Sequence, residues 1–216
     1  MNRPFTDRLS RYFTYLITLT LVFSFFATVR GASQQQGLDV PESDRTVPYV
    51  PTPMEVVQKM LDLAKVGSDD VVYDLGSGDG RIVIMAAEKY GAQAVGVELD
   101  EQRFKESSAL IEERGLGKRA KIVRANLFET DLHPATVLTL YLLPSVNQRL
   151  RPRLENELRP GARVVSHNFS MEGWKPDQVV TVNSENNMSH TVYLYHLPQP
   201  QAAGKDAGAG ETEQNK

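Results

Sequence analysis

One stretch, residues 71–83, constrains the fold of this chain more than any other. Three β-favouring residues run into a turn that carries glycines at positions 76, 78 and 80, and an apolar run typical of a helix follows. A strand, a glycine loop and a helix in this order are typical of an open α/β sheet, which binds nucleotide-like ligands at the carboxyl ends of its strands. Glycine permits positive φ and a close approach of the ligand to the main chain, and the first N–H groups of the helix then face that ligand.

Two carboxylates beside the loop indicate which ligand fits it. A dinucleotide fingerprint needs a third glycine at position 81, where this chain has Arg81. Asp74 lies two residues before the first glycine, where it suits a ligand with an ammonium group and not a pyrophosphate. Glu98 ends a second predicted strand about 20 residues after Gly76, the position from which a carboxylate accepts hydrogen bonds from ribose hydroxyls. Ribose, an ammonium group and no phosphate together describe S-adenosylmethionine (SAM).

The residues from about Val47 to His196 resemble the class I SAM-dependent methyltransferases. Residues 74–80 match their glycine motif without a gap, Glu98 matches their ribose-binding acid, and Leu-Arg-Pro-Gly-Ala at 158–162 is similar to the turn before their fifth strand. The resemblance implies a Rossmann-like α/β fold, with helices on both faces of a seven-stranded sheet that is mostly parallel and has an antiparallel last strand. The SAM-binding residues that it implies are Asp74, Gly76, Ser77, Gly78, Gly80, Glu98 and Asn126.

Three shorter stretches, 47–53, 126–129 and 140–144, are similar to a compact family of mitochondrial lysine N-methyltransferases with bacterial relatives. Characterised members of that family modify the ATP synthase c-subunit and the adenine nucleotide translocase. The resemblance implies methylation of a protein lysine, on a substrate that could be a small membrane protein. It also implies that the first stretch closes over SAM and the target amine, which makes Thr52 a cofactor-binding candidate and Tyr49 a catalytic one. The alternative for both residues is capping and packing alone.

Hydrophobic periodicity and capping residues predict the other elements. Thr52 is expected to cap a helix whose first residue is Pro53. Asp100 is expected to cap another, which ends near Glu113. The strands predicted after residue 90 are 93–98, 120–124, 136–141, 162–167, 178–184 and 191–196. Helices are predicted at 81–90 and from Ser145, and a crossover too short for a full helix at 127–135.

The carboxyl ends of the predicted fourth and fifth strands supply candidates for the methyl-acceptor pocket. Tyr141 and Phe169, together with Tyr49, would form aromatic walls that desolvate a lysine amine and lower its pKa from the usual value of about 10.4. His167 could take the proton, although a dedicated base is not required. Asn126 would either bind the adenine amino group or form an Asx-turn at a strand end.

The sequence Tyr-Leu-Leu-Pro at 141–144 departs from the Asn/Asp-Pro-Pro-aromatic pattern of DNA and many glutamine methyltransferases. It offers no side-chain carbonyl to orient an amide nitrogen, so it disfavours base or glutamine methylation and favours an aliphatic amine. Two alternatives to a protein-lysine enzyme stay open: a small-molecule methyltransferase, and a SAM-binding or membrane-tethered module without turnover. The intact glycines and Glu98 argue against the second of these.

Composition narrows the chemistry further. The 216 residues contain no cysteine, which excludes disulfides, thiol nucleophiles and Cys-based zinc sites, and no metal-ligand cluster is apparent. The net charge is −3, although residues 1–32 carry four arginines against one aspartate, so the remaining chain is more acidic still. An acidic body disfavours broad nucleic-acid binding.

Residues 1–32 are predicted to be a signal peptide or a membrane anchor. Residues 12–29 form an uncharged, mostly apolar run that would span about 27 Å as a helix, behind a flank with three arginines. Such a flank places the domain on the far side of the membrane, where SAM made in the cytosol would be lacking unless the protein is mitochondrial. The side of the membrane therefore stays open. Residues 33–46 are predicted to be a linker, 47–197 the methyltransferase domain and 198–216 a disordered tail.

Overall fold

The computed structural model describes residues 49–198 of the chain. Within this range the helices are α1 (Met54–Leu63), α2 (Arg81–Tyr90), α3 (Glu101–Glu113) and α4 (Pro144–Glu157). The strands are β1 (Val71–Leu75), β2 (Gln93–Glu98), β3 (Ala120–Arg124), β4 (Val137–Leu140), β5 (Arg163–His167), β6 (Gln178–Asn183) and β7 (Ser189–His196).

All seven strands form one sheet in the order β3-β2-β1-β4-β5-β7-β6. Strands β1 to β5 are parallel, and β7 runs antiparallel between β5 and β6. This topology confirms the Rossmann-like fold class with an antiparallel last strand. The chain goes outwards from β1 to β3 on one side and then returns to place β4 on the other side of β1. The carboxyl ends of β1 and β4 therefore flank the crevice where open α/β sheets bind their ligands.

Two apolar clusters cover the two faces of the sheet. One cluster contains the buried faces of α1 and α2, and the other contains the buried face of α4. Alternating residues of the central strands belong to different clusters: Val72 and Val137 to the first, Tyr73 and Leu138 to the second. Because both faces of β1 and β4 are covered, these strands are apolar almost throughout.

The two predicted helix caps have different outcomes. Asp100 caps α3 as predicted, because its carboxylate accepts a hydrogen bond from a backbone N–H of the first turn (2.9 Å). The cap predicted for Thr52 is wrong: α1 begins at Met54, its N-cap is Pro53, and no side chain caps it. The hydroxyl of Thr52 is bonded instead to a ring nitrogen of His167, 3.2 Å away.

The remaining element limits agree with the prediction to within two residues. The limits of α2, β2 and β3 are those predicted from the sequence. Helix α4 begins one residue earlier than expected, at Pro144, because a proline at the first helical position has no N–H that needs a partner. The short crossover at 127–135 contains turns and no helix.

The predictions for residues 1–46 and 199–216 lie outside the described part of the chain. Within residues 49–198, no helix is both long enough and apolar enough to cross a bilayer.

Candidate active site

The glycine loop lies at the carboxyl end of β1 and is bonded to the end of β2. The backbone N–H groups of Gly76 and Ser77 donate to the carbonyl oxygen of Val97 (2.8 and 3.0 Å). The N–H of Gly78 donates to Glu98 Oε2 (2.8 Å), and Oε1 accepts from the backbone N–H that precedes α3 (2.8 Å). Glu98 is buried and lies beside the loop. This is the position that a ribose-binding acid requires, and the ribose assignment itself stays a prediction.

The three predicted glycines need their freedom of conformation. Gly76, Gly78 and Gly80 have φ of +80°, +54° and +77°, in the left-handed region that other residues rarely adopt. A fourth glycine, Gly96 of β2, leaves room for the loop, since a Cβ there would come within 2.5 Å of Ser77 Oγ. That hydroxyl is buried and has no hydrogen-bond partner among residues 49–198. The loop therefore offers a ligand three positions without side chains and the hydroxyl group of Ser77, unpartnered within residues 49–198.

Asp74 is a buried carboxyl group at the end of β1. Burial raises its pKa to about 7, and the nearby carboxylates of Glu98 and Asp79 raise it too, although the hydrogen bond from Thr139 Oγ1 (2.7 Å) opposes them. Asp74 is therefore only partly ionised at neutral pH. A ligand ammonium would favour the charged form, which agrees with the role predicted from the sequence.

Residues 49–53, which we call the covering segment, lie over the glycine loop. A Cβ added to Gly78 would come within 2.5 Å of Cε2 of Tyr49, so the tyrosine ring lies directly against the glycine. The Arg103 guanidinium lies 4.6 Å from the centre of the same ring. Burial and the Asp79 carboxylate raise the pKa of Tyr49. The structure places Tyr49 on the SAM loop and not in the aromatic group at the ends of β4 and β5.

The backbone of the covering segment is held by the start of α2. Arg81 Nη1 donates to the carbonyl oxygen of Thr52 (2.7 Å). The same guanidinium forms an ion pair with Asp79 of the glycine loop (2.5 Å). The arginine that argued against a dinucleotide site therefore connects the covering segment to the loop.

Three of the predicted pocket residues form one aromatic group. The ring of Tyr141 lies 3.9 Å from that of His167 and 6.2 Å from that of Phe169, measured between ring centres. Tyr141 and Phe169 are half-buried, whereas His167 is completely buried. Tyr141 and Phe169 are therefore available to line an acceptor pocket.

His167 is poorly placed to act as a base. Its Nδ1 lies 3.2 Å from Thr52 Oγ1 and its Nε2 lies 2.9 Å from His190 Nδ1, so both ring nitrogens have protein partners. Burial, and secondarily His190, lower the pKa of His167 to about 4, which keeps the ring neutral at pH 7. These contacts favour a positioning role for His167 over the proton-accepting role considered above.

Asn126 forms the Asx-turn that was one of its two predicted roles. Its Oδ1 accepts from the backbone N–H of Phe128 (3.0 Å), and its Nδ2 lies 3.4 Å from Glu129 Oε1. The amide is buried at the carboxyl end of β3. Binding of the adenine amino group stays a prediction for its remaining lone pair.

Three potential metal ligands lie close together, although the sequence showed no such cluster. Asp131, His133 and Glu157 bring one ligand atom each within 4.8 Å of the others. Asp131 is bonded to His133 (2.6 Å), and Glu157 is paired with Arg153 (2.7 Å). The group lies largely exposed before β4, at the edge of the sheet opposite the glycine loop, so it takes no part in the candidate active site.

The groups at the carboxyl edge fit SAM. The glycine cradle admits a ligand against the backbone, and Ser77 has a hydroxyl to donate. Glu98 keeps acceptor capacity beyond its two backbone bonds, because a carboxylate has about four acceptor positions. Asp74 supplies a negative charge for an ammonium group.

Sheet order, glycine loop and the two carboxylates define a class I SAM-dependent methyltransferase. The model of the ANTKMT methyltransferase domain family matches residues 74–178. A protein-lysine N-methyltransferase from Saccharolobus islandicus is 55% identical over 150 residues, which are 69% of this chain and 92% of that protein. The chain belongs to this methyltransferase family, as both resemblances in the sequence indicated.

Two further similarities agree with this assignment. An ATP synthase c-subunit lysine N-methyltransferase from Xenopus laevis is 32% identical over 151 residues, and the match spans 70% of this chain and 64% of that protein. A crystal structure of an RNA methyltransferase from Salinibacter ruber in complex with S-adenosyl-L-homocysteine has a TM-score of 0.66 and 48% identity. The match covers 73% of this chain and 98% of the S. ruber protein chain. The methyl donor of this chain is SAM.

Sequence reasoning missed three residues that the structure connects to the site. Thr139 bonds Asp74, Arg81 holds the covering segment, and His190 bonds His167. A signal existed for His190, which occupies an inward position in the alternation of β7, where it precedes the buried residues Val192 and Leu194. A histidine on an apolar face needs a buried hydrogen-bond partner. That partner, His167, could be identified only once β5 was known to be the neighbour of β7.

Proposed function

We propose that this chain is a protein-lysine N-methyltransferase that transfers the methyl group of SAM to the ε-amine of a lysine. The observation that carries the proposal is the 55% identity to the protein-lysine N-methyltransferase of S. islandicus, 92% of which is aligned. Relatives of about 32% identity are named for lysine methylation of two different proteins, the ATP synthase c-subunit and the adenine nucleotide translocase. The shared reaction on different proteins supports a lysine amine as the acceptor without identifying the protein that carries it.

The carboxyl edge of the sheet supports an amine acceptor. Tyr141 and Phe169 present aromatic rings, and Leu143, in the same β4–α4 connection as Tyr141, is 41% exposed. Such a surface desolvates an incoming ammonium group and favours its neutral form, which is the form that can attack a methyl group. Residues 141–144 carry no side-chain carbonyl to orient a base or an amide.

The work of the protein in this reaction is orientation. SAM, when bound, supplies a methyl group on a positively charged sulfur. Glu98 would hold the ribose hydroxyls and Asp74 the ammonium group, while the glycine loop, on which Tyr49 packs at Gly78, would line the ligand. Because both nitrogens of the His167 ring are already bonded, the lysine proton would leave to solvent before attack and not to this histidine.

RNA methylation is the second candidate, and it rests on one observation. The 48% identical structure from S. ruber is described as an RNA methyltransferase. The net charge of this chain is −3, however, and RNA binding depends on clustered Lys and Arg that neutralise phosphates. We therefore place RNA behind protein as the acceptor.

A labelling experiment distinguishes the acceptors. The 216-residue protein would be incubated with methyl-labelled SAM and with separate fractions of total protein, total RNA and small metabolites, followed by mass spectrometry of the labelled material. Label on lysine would support the proposal, and a Glu98→Ala variant would serve as the matched negative control. Label only in RNA or only in low-mass material would overturn it in favour of an RNA or a small-molecule methyltransferase. SAM binding without label in any fraction would leave a binding module.

We also propose that residues 12–29 associate the enzyme with a membrane, either as an anchor or, before cleavage, as a signal peptide. Support comes from the uncharged apolar run and the arginines before it. Fractionation of cells that express the chain, with amino-terminal sequencing of the product, tests this. A soluble product with an intact amino terminus would contradict both forms of the proposal.

A further inference from the structure

A buried series of hydrogen-bonded polar side chains joins the covering segment to the connection between β6 and β7. Thr52 Oγ1 contacts His167 Nδ1 (3.2 Å), and His167 Nε2 contacts His190 Nδ1 (2.9 Å). His190 Nε2 contacts Ser184 Oγ (3.2 Å) in the connection between β6 and β7. All four residues are 5% exposed or less. This series of hydrogen bonds thus crosses β5 and β7 through buried side chains only.

The direction of these hydrogen bonds follows from the last member. Ser184 Oγ has two other neighbours, the carbonyl oxygen of Met188 (3.0 Å) and Oδ1 of Asn186 (2.5 Å), and both are acceptors. The Asn186 atom is the amide oxygen, because it also accepts from the backbone N–H of Met188 (3.2 Å). The single hydroxyl proton of Ser184 is therefore donated away from His190, and its oxygen can only accept from the histidine.

With each of the two rings carrying a single proton, the other protons then have one consistent arrangement. His190 must carry its proton on Nε2, so its Nδ1 is an acceptor and receives the Nε2–H of His167. The Nδ1 of His167 is then an acceptor as well, and it receives the hydroxyl proton of Thr52. The low pKa of His167 agrees with the uncharged ring that this arrangement gives it.

We propose that His190 and Ser184 are positioning residues for the SAM site: they fix the tautomer of His167, which in turn holds Thr52 and with it the covering segment over that site. Two contacts support this placement. Arg81 bonds the carbonyl oxygen of Thr52 from the loop side, so the covering segment is held at both the backbone and the side chain of one residue. Glu55, in the first turn of α1, accepts from the backbone N–H of Glu185 (2.9 Å), which brings the β6–β7 connection against the helix that directly follows the covering segment.

The consequence reaches both parts of the site. Tyr49 of the covering segment lies on Gly78, so the position of Thr52 determines how closely the segment covers the glycine loop. His167 also lies 3.9 Å from Tyr141, so its ring orientation supports the aromatic group. His190 acts on the covering segment and on the aromatic group through its contact with His167.

Two substitutions at His190 separate this role from simple packing. The amide oxygen of His190→Asn can occupy the place of Nδ1 and accept from His167, whereas the amide of His190→Gln reaches the place of Nε2 and leaves His167 without its acceptor. We expect His190→Gln to weaken SAM binding about five- to tenfold and His190→Asn to recover most of that loss, measured by calorimetry on the full chain. Equal SAM affinities for the two variants would overturn the proposal.

A double-mutant cycle tests the path through Thr52. In a Thr52→Val background, which keeps the side-chain shape and removes the hydroxyl, His190→Gln should change SAM affinity by less than about twofold. An undiminished effect in that background would show that His190 acts elsewhere.

A third readout needs no variant and no methyl acceptor. Nitrogen-15 NMR of the wild-type imidazoles distinguishes the two neutral tautomers, and we expect the Nε2–H form at both His167 and His190. The Nδ1–H form at either ring would contradict the proposed direction. Because these tests use SAM binding and NMR, they can fail without affecting the proposed lysine acceptor, and the reverse also holds.

Discussion

The two carboxyl groups of the site, Glu98 and Asp74, accept hydrogen bonds from different kinds of donor. Glu98 accepts two backbone N–H groups, at 2.8 Å each. Asp74 is also buried and accepts a hydrogen bond from the hydroxyl of Thr139, and burial raises its pKa to about 7. The backbone thus holds the Glu98 carboxylate in one orientation, whereas the charge of Asp74 responds to the ligand.

The state of Asp74 predicts how SAM binding depends on pH. Because only the ionised carboxyl attracts the ligand ammonium, and its pKa in the free protein is about 7, SAM affinity should rise about three- to tenfold from pH 6 to pH 7.5. Calorimetry in buffers of different ionisation enthalpy should also detect proton release on binding. An Asp74→Asn variant should bind weakly at every pH in this window. The same pH slope in that variant would contradict the assignment.

Glu98→Ala should weaken SAM binding by about 1.5–3 kcal/mol, because it removes hydrogen bonds to a charged group and also frees the N–H of Gly78. Glu98→Gln, which keeps one carbonyl acceptor for the loop, should lose less. Calorimetric dissociation constants of the three proteins give the comparison. Unchanged affinity in the alanine variant would rule out the ribose role of Glu98.

Tyr141→Ala should leave SAM affinity nearly unchanged and reduce methyl transfer at least about tenfold, because Tyr141 contacts the aromatic group and not the glycine loop. Single-turnover methylation and SAM binding on the same preparation separate the two effects. If the variant transferred methyl groups normally, the acceptor pocket would have to lie elsewhere.

Between elements, the contact that matters most is the one between the covering segment and the glycine loop. Gly78→Ala should reduce SAM affinity about tenfold or more, because the new Cβ meets Tyr49 at 2.5 Å and the residue has φ of +54°. The matched control is Gly161→Ala, with φ of +84° and open space around the new Cβ. It carries a similar backbone strain away from the site and should lower Tm without changing affinity.

A Tyr49→Ala background supplies the second control for this contact. There the steric part of the Gly78→Ala effect should disappear, while the backbone strain persists. SAM dissociation constants of the four proteins in this cycle measure the coupling. Strictly additive effects would show that the tyrosine and the glycine do not press on each other in solution.

Across the whole molecule, the two edges of the sheet have different roles. The carboxyl edge holds the site, and the amino edge holds a partly buried network in which Arg163 pairs with Asp70 and donates to the carbonyl oxygen of Ala64 (2.6 Å). Thr136 also donates to Asp70 (2.7 Å). The network connects the starts of β1, β4 and β5.

Arg163→Met should lower the free energy of unfolding by about 1–3 kcal/mol and leave SAM affinity within about twofold, because the change is confined to the amino edge. Burial alone would raise the pKa of Asp70, but hydrogen bonds from Thr136 and Gly67 and the Arg163 charge lower it. The ion pair therefore contributes above about pH 4 and is lost at lower pH. Urea unfolding at pH 7 and pH 3.5 should show the difference between the two proteins shrinking on acidification.

Most elements could be predicted because their signals are local. The apolar runs of β1 and β4, the glycines of the loop and the cap at Asp100 each depend on a few neighbouring residues. The prediction for Thr52 failed because a partner 115 residues away captured its hydroxyl group. Local propensity depends on neighbouring residues and therefore does not include a hydrogen bond to a residue so distant in the sequence.

The amino-acid sequence alone determined the fold class and the SAM-binding motif, because the spacing along a strand, a loop and a helix carries this information, and the resemblance of its motifs indicated the family. Only the tertiary structure decided which polar groups meet. Parallel β1 and β4 bring Thr139 to Asp74, and antiparallel β5 and β7 bring His190 to His167. Strand register across a sheet joins residues distant in sequence, and those contacts orient the polar side chains of the site.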